Sequence, residues 1–460
     1  MPPAKPYKYQ KEGVLDMEDF LEVGGGTLLA DDMGLGKTLQ TLWLMQRHTV
    51  AQMFPALVVS PVKYVWEHEA KTHVNLRAQV LESQTPPKDH FEFTQKLMVI
   101  NPDILMYWLP YLKKIGLQTL VLDECQFFTN LTTKRTRATI ELARMVPFRM
   151  ALSGTPLTNR PAELWPTLHM LRPDEFPSFF SFAQEHCKPR KRFGKWEFKG
   201  AENLPKLHAK LRRTCMVRRL KEDVLKDLPS KVRRVVPMDL SDRAEYDHAK
   251  NDFLGWLAQN HSAGKASRAA RAAAVTRIGY LLRLAARLKA RAVVGWANAF
   301  LDEFPNEKLV LFAVHKKMID VLQRRIPTKS TTVDGSVTGR RQKLAVDQFR
   351  HDKETRLFIG NIKAAGTGIN GLQDTCSNLA FVELWWRPGD HIQAEDRIHR
   401  IGQKGVAWIN YLVAGGTIEE DLCRIIQTKQ DVIRATLDGG AYESDMDIFD
   451  QLIEIMEVKK

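Results

Sequence analysis

No run of residues in this chain approaches the roughly 18 consecutive apolar positions needed to cross a bilayer, and the opening MPPAKPYKYQ lacks the apolar stretch of a secretory signal. The expectation is an intracellular protein without a membrane partner. Its compactness points to the cytoplasm or nucleoid of a bacterium or a virus-infected cell rather than to a nucleus. Cysteine is sparse: Cys125, Cys187, Cys215, Cys376 and Cys423 stand far apart with no C-x-x-C pair, which excludes a disulfide framework and a cysteine zinc site and implies reduced, mostly buried thiols. No repeat of fixed short period is present, so a solenoid is excluded.

Positive charge is abundant and unevenly placed. The 460 residues carry a formal net charge of +14. From Lys188 to Arg234 there are 17 Lys and Arg against 5 Asp and Glu, and from Lys265 to Arg291 there are 8 basic residues and no acidic ones. The rest of the chain is net negative. A clustered basic field is what a polyanion binder requires, because each neutralised phosphate releases counterions; a merely soluble basic surface, or a targeting signal at KPRKRF, is the other reading.

Short β-rich apolar runs recur early, TLLA at Thr27, ALVVS at Ala56, LMVI at Leu97, LQTLVL at Leu117 and RMALS at Arg149, separated by helix-like segments. A second series follows: KLVLFAV at Lys308, TTV at Thr331, RLFIG at Arg356, NLAFVEL at Asn378 and AWINYLV at Ala407. Alternation of this kind implies an α/β fold with two parallel-sheet lobes. The expected division is lobe 1 over 1–165, a basic helical insertion over 166–304, lobe 2 over 305–435 and an acidic C-terminal helix over 436–460.

LLADDMGLGKT runs from a strand through a glycine-bearing turn into a helix. That order suits a phosphate loop, in which Met33, Gly34, Leu35 and Gly36 present backbone N–H groups, Lys37 reaches the β and γ phosphates and Thr38 ligates magnesium. The full pattern wants Gly where Asp31 stands, so the match is partial. LVLDECQ puts Asp123 and Glu124 at the end of a strand, where Asp123 can hold Mg2+ and Glu124 can polarise water, although an isolated Asp-Glu pair also fits a solvated turn. ALSGTPLTN carries Ser153, Gly154 and Thr155 into another turn, either a phosphate sensor or a helix cap. FIGNIKAAGTGINGLQ and QAEDRIHRIGQ close the series; taken alone, the pair Arg397 and Arg400 reads equally as a solvated, salt-bridged face, on one side if the stretch is helical. No zinc finger, reader module or nuclease-type acidic cluster stands outside these motifs.

In this order, YQKEGV, DDMGLGKT, LVVSP, DECQ, LSGTPLTN, GTGIN and QAEDRIHRIGQ resemble the motifs of superfamily-two helicase-like ATPases of the Swi/Snf type, from Tyr7 to about Leu422. MVRRLKEDVLKDLPSK and WWRPGDHIQAEDR look like further blocks of that family, and FKGAENLPKLHAKLRR leans towards its annealing-helicase, fork-remodelling branch. The resemblance implies two RecA-like lobes that clamp ATP, with helical protrusions between them. It implies adenine reading by Gln10, further nucleotide contacts from Gly368 and Gln393, arginine fingers at Arg397 and Arg400, and nucleic-acid contacts from Lys63, Trp66, His315, Lys316 and Thr367; for each of Lys63, Trp66, His315 and Lys316, packing in the core or at the surface is the other reading. Asp31 matches the family's own phosphate loop, with Asp32 in place of Glu. Gln126 stands where His is more often found, at the position that relays nucleotide state.

The implied activity is that of a DNA-stimulated ATPase, using ATP and Mg2+, that moves along duplex or branched DNA largely without regard to sequence, as a monomer. A strand-separating or RNA-directed helicase of the same superfamily is the alternative enzyme. A catalytically inert DNA-binding subunit is the alternative of another class, and the presence of Lys37, Glu124 and Arg397 together argues against it.

Overall fold

The computed structural model describes residues 5–47, 53–86, 93–192, 195–260, 268–337, 339–365 and 369–439. The expected acidic helix over 436–460 lies, beyond residue 439, outside the described residues. The chain divides into two units, one formed by residues up to Lys226 together with a return segment beginning at Asp431, the other by Asp227–Gln430. No helix among the described residues is long and apolar enough to cross a membrane.

The first unit contains strands β1 (Thr27–Leu29), β2 (Ala56–Val59), β3 (Ala78–Leu81), β4 (Leu97–Ile100), β5 (Thr119–Asp123) and β6 (Phe148–Leu152), a small hairpin of β7 (Arg190–Arg192) and β8 (Lys195–Glu197), and β9 (Met216–Val217). Seven of these form a parallel sheet in the order β3-β4-β2-β5-β6-β1-β9. The second unit contains β10 (Lys231–Met238), β11 (Leu309–Ala313), β12 (Ser330–Val333), β13 (Leu357–Asn361), β14 (Asn378–Phe381) and β15 (Ala407–Ala414), all parallel, in the order β10-β15-β14-β11-β13-β12.

Both sheets are covered on both faces, which is why their central strands are continuous apolar runs rather than alternating ones. In β2, Leu57 and Val59 enter one core cluster while Ala56 and Val58 enter another. In β11, Val310 and Phe312 point one way and Leu309, Leu311 and Ala313 the other. Period-two geometry divides each buried run between two helix layers.

All ten runs expected to be strands are strands, and three further strands join the sheets. β3 is a half-buried edge. β9 and β10 come from the segment expected to be mainly helical, 166–304, and extend the first and second sheet respectively. Most of the remainder of that segment is helical, including Arg243–Asn260 and the 36-residue Arg268–Glu303. All five cysteines are free and buried; burial pushes the Cys187 and Cys376 thiols up to about 12 and those of Cys215 and Cys423 to about 11, so they are inert at neutral pH.

Candidate nucleotide site and arginine turn

In the first sheet the chemically equipped residues follow the carboxyl ends of four adjacent strands, β2, β5, β6 and β1, the edge where open parallel sheets gather ligands. After β1 the chain turns through Gly34 and Gly36, at φ +86° and +79°, conformations that favour glycine. Helix Lys37–Arg47 starts directly behind them. The loop is held from outside at one carbonyl: Leu35 O accepts from Tyr9 Oη at 3.3 Å, Gln10 Nε2 at 3.0 Å and Gln40 Nε2 at 3.2 Å. Gln10 also accepts the Tyr7 N–H at 2.9 Å, so one end of its amide braces the loop and the other caps the start of helix Lys8–Glu22.

Lys37 Nζ donates to Asp31 O at 2.7 Å and Asp32 O at 3.2 Å. Burial pushes its ammonium down, opposed by Glu124, Asp31, Asp32 and Asp123. The acids before the loop have dedicated partners from MVRRLK. Arg219 pairs with Asp31 at 3.4 Å and with Asp16 at 2.6 Å; Arg218 pairs with Asp32 at 3.3 Å, with the Ala30 carbonyl at 2.6 Å and with Asp438. The Lys221 N–H completes Asp32 at 3.0 Å. Gln40 adds a bond to Asp31 at 3.0 Å.

Asp123 ends β5, and its Oδ2 accepts both Ser60 Oγ at 2.7 Å and Trp66 Nε1 at 2.8 Å. Burial pushes its carboxyl up, against those two donors and Lys37. A buried lysine and a buried aspartate at one edge suit an incoming polyphosphate and a divalent cation respectively, since each would relieve a desolvated charge. With Thr38 at the second position of the helix behind the glycine turn, the donor set fits Mg2+ together with a nucleotide.

Glu124 sits in the left-handed region at φ +53° and accepts Gln126 Nε2 at 2.7 Å. Gln126 Oε1 in turn accepts Ser153 Oγ at 2.6 Å, and Ser153 Oγ accepts the Thr155 N–H at 3.0 Å. A Cβ on Gly154 would meet Met33 Cγ at 2.3 Å and lie 3.3 Å from Lys37 Nζ. The turn after β6 therefore lies against the phosphate loop, and glycine is needed there for the approach.

The second unit carries the arginine turn. Helix Pro388–Glu395 ends before Arg397, so the two arginines meet through a turn and not through helical spacing. Asn370 Oδ1 receives both, Arg397 Nη1 at 3.3 Å and Arg400 Nη1 at 2.7 Å; Arg397 also donates to Ile369 O at 2.9 Å. Arg397 is buried, and Arg400 partly so. Behind the turn, buried Glu395 receives a two-pronged contact from Arg233 at 2.7 and 2.6 Å, Lys231 Nζ at 2.9 Å and Tyr411 Oη at 2.8 Å. Burial alone would raise the Glu395 pKa; the two cations of β10 reverse this and hold it at about 2.

Residues 9–285 match the SNF2-related domain, and residues 295–402 match the helicase conserved C-terminal domain. The chain belongs to the SNF2-related family. The SWI/SNF-related matrix-associated actin-dependent regulator of chromatin subfamily A-like protein 1 homolog of Caenorhabditis elegans is 30% identical over 93% of this chain and 61% of its own length. Human DNA annealing helicase and endonuclease ZRANB3 is 30% identical over 95% of this chain and 41% of its own. The chain thus spans less than two thirds of either relative. A solved Sulfolobus solfataricus SWI2/SNF2 ATPase core in complex with dsDNA is 22% identical, with a TM-score of 0.45 over 99% of this chain and 96% of that one.

Within this SNF2-related chain, one expected contact residue takes another place. Trp66, expected at a nucleic-acid surface, is fully buried and orients Asp123 instead, its indole body in the core and its N–H on the carboxylate. Lys63 lies partly exposed over the Tyr64 ring at 5.3 Å. His315 is held by Glu383, which accepts its backbone N–H at 2.8 Å and Nδ1 at 2.7 Å, while Lys316 is exposed, 3.9 Å from Asp334. Gln393 is buried in helix Pro388–Glu395. Thr367 and Gly368 lie outside the described residues.

The central basic field is smaller at the surface than its count implies. Arg218, Arg219, Lys231 and Arg233 are tied to acids inside the fold, and buried Lys289 donates to Glu419 and the Leu412 carbonyl, both at 2.6 Å. Sequence reasoning missed Ser60, Arg218, Arg219, Asn370 and the β10 cations as site supports. The one available signal was the unbalanced pair Asp31-Asp32 beside a buried loop, which demands nearby cations.

Proposed function

We propose that this chain is an ATP-hydrolysing motor that moves along duplex or branched DNA with little regard to sequence. The observation that carries the reading is the chain of side chains at the edge of the first sheet, in which Glu124 is bonded through Gln126 to the turn that lies on the phosphate loop. Lys37 and the N–H groups from Met33 to Gly36 would bind phosphate oxygens, Gln10 would face the adenine side of the loop, and Glu124 would orient the attacking water. Mg2+ held by Thr38 and Asp123 would neutralise charge on the phosphates. Arg397 and Arg400, with Gln393 and Gly368 beside them in the sequence motifs, would supply the positive charge that the transition state needs.

Membership of the SNF2-related family supports this reading, as do relatives named for annealing-helicase activity. A link from Glu124 to the turn after β6 gives hydrolysis a route to movement, and phosphate-directed contacts would make that movement indifferent to base sequence. The test is ATP turnover by the purified chain with blunt duplex, single-stranded, forked and four-way-junction DNA and with RNA. Stimulation by DNA is expected; turnover unchanged by every nucleic acid would sink the proposal. Triplex displacement beside strand displacement then separates translocation from unwinding.

A further inference from the structure

The hairpin β7–β8 takes no part in the site described above, yet it concentrates two features that rarely coincide on an idle surface. The stretch Lys188–Lys199 carries six Lys and Arg against one Glu. Trp196, on β8, is 49% exposed, and Phe180, on the neighbouring helix Phe179–His186, is 43% exposed. The two rings meet edge to face, 6.1 Å apart at 73°. Phe198 backs Phe180 at 5.9 Å and Phe179 at 5.3 Å, and Phe179 leans on Trp165 at 5.6 Å. The exposed pair is therefore the outer end of an aromatic series rooted in the core.

Register decides what stands beside the indole. In the antiparallel pairing Lys191 lies directly opposite Trp196, so both occupy one face of the ribbon, and Lys191 is exposed. A preset aromatic surface next to a cation matches a nucleotide with an unstacked base: the ring offers a stacking plane and the ammonium a phosphate partner. Intact duplex would engage the lysines and arginines alone and leave both rings in water. The charge of the stretch disfavours a neutral or basic protein partner.

We propose that the β7–β8 hairpin is a second DNA contact, in which Trp196 and Phe180 stack unpaired bases at a branch or single-stranded end while Lys191 holds the adjoining phosphate. This rests on the reading that the chain works on DNA. It assigns the hairpin the choice of structure, with hydrolysis left to the ATP site.

Fluorescence anisotropy with a labelled single strand, a fork and a blunt duplex tests it on the full chain. Trp196→Ala is expected to weaken binding to the single strand and the fork by about 10-fold, with the blunt duplex changed by less than about 2-fold. Trp196→Phe should keep most of the preference, and Lys191→Ala should lower the salt slope for the fork by about 1. A folded Trp196→Ala chain that binds all three DNAs like the parent overturns the proposal. So does an equal loss on blunt duplex, or a loss that Trp196→Phe fails to restore. If Trp196→Ala melts early, Trp196→Gln and Lys191→Glu carry the same comparison. Turnover of the unaltered chain with blunt duplex tests the motor reading separately, because its absence leaves the binding preference intact.

Discussion

Gln126 holds Glu124 with its amide nitrogen and Ser153 with its amide oxygen, and the two neighbours are separable by substitution. Glu124→Gln is expected to lower ATP turnover by about 10² to 10⁴-fold while nucleotide binding persists, since the proposed general base is lost and the loop is not. Gln126→Ala leaves Glu124 correctly charged but detached from the turn after β6, so the expected loss is in the rise that DNA causes, read as the ratio of stimulated to unstimulated kcat. Arg397→Ala should reduce kcat by about 10³-fold or more with a much smaller change in ATP affinity; equal losses in both would mean that the arginine binds ground-state nucleotide. At this scale the meeting of Lys37, Asp123 and Glu124 at one sheet edge was legible from motif order. Trp66 was not, because an aromatic beside a basic loop looks the same in sequence whether its ring faces solvent or an aspartate.

Strand β10 and helix Pro388–Glu395 are joined by a buried ionic cluster that makes the second unit sensitive to acid. Glu395 is held at about 2 against its ordinary 4.5. Its contribution, about 3 kcal/mol, is therefore complete above pH 4.5 and disappears as the pH falls towards 2. His391, on the same helix, is pushed down by burial to about 4 from 6.5. The unfolded chain takes up that proton first, so stability already declines between pH 6.5 and 4. Denaturant melts at successive pH values should show a decline beginning near pH 6.5, and Glu395→Gln should flatten its lower limb while lowering stability at pH 7. Arg233→Met is expected to destabilise the second unit by less than the about 3 to 5 kcal/mol of a fully uncompensated buried charge, because Lys231 and Tyr411 stay on Glu395, and to reduce turnover by loosening the arginine turn. As an element, β10 was illegible: KVRRVVPM pairs along its whole length with β15, yet its side chains are largely half-buried or exposed and three of its eight residues are cationic. Its partner strand and Glu395 decide its state.

For the whole molecule, the consequence of a +14 chain with several cations locked inside is that DNA stimulation should be salt-dependent but less steeply than the charge count suggests. Half-maximal DNA concentration measured from 50 to 200 mM salt checks this; a flat response would mean that backbone phosphates are not the main contact. The sequence by itself determined the class of fold and the order of the motifs, because parallel strands buried on both faces must be continuous apolar runs, and because phosphate chemistry demands a glycine turn before a lysine and acids at strand ends. Only the tertiary structure decided which charges face inward. An arginine has the same composition value wherever it stands, and what sets Arg219 and Arg233 apart is the buried carboxylate, Asp31 or Glu395, that folding brings to each.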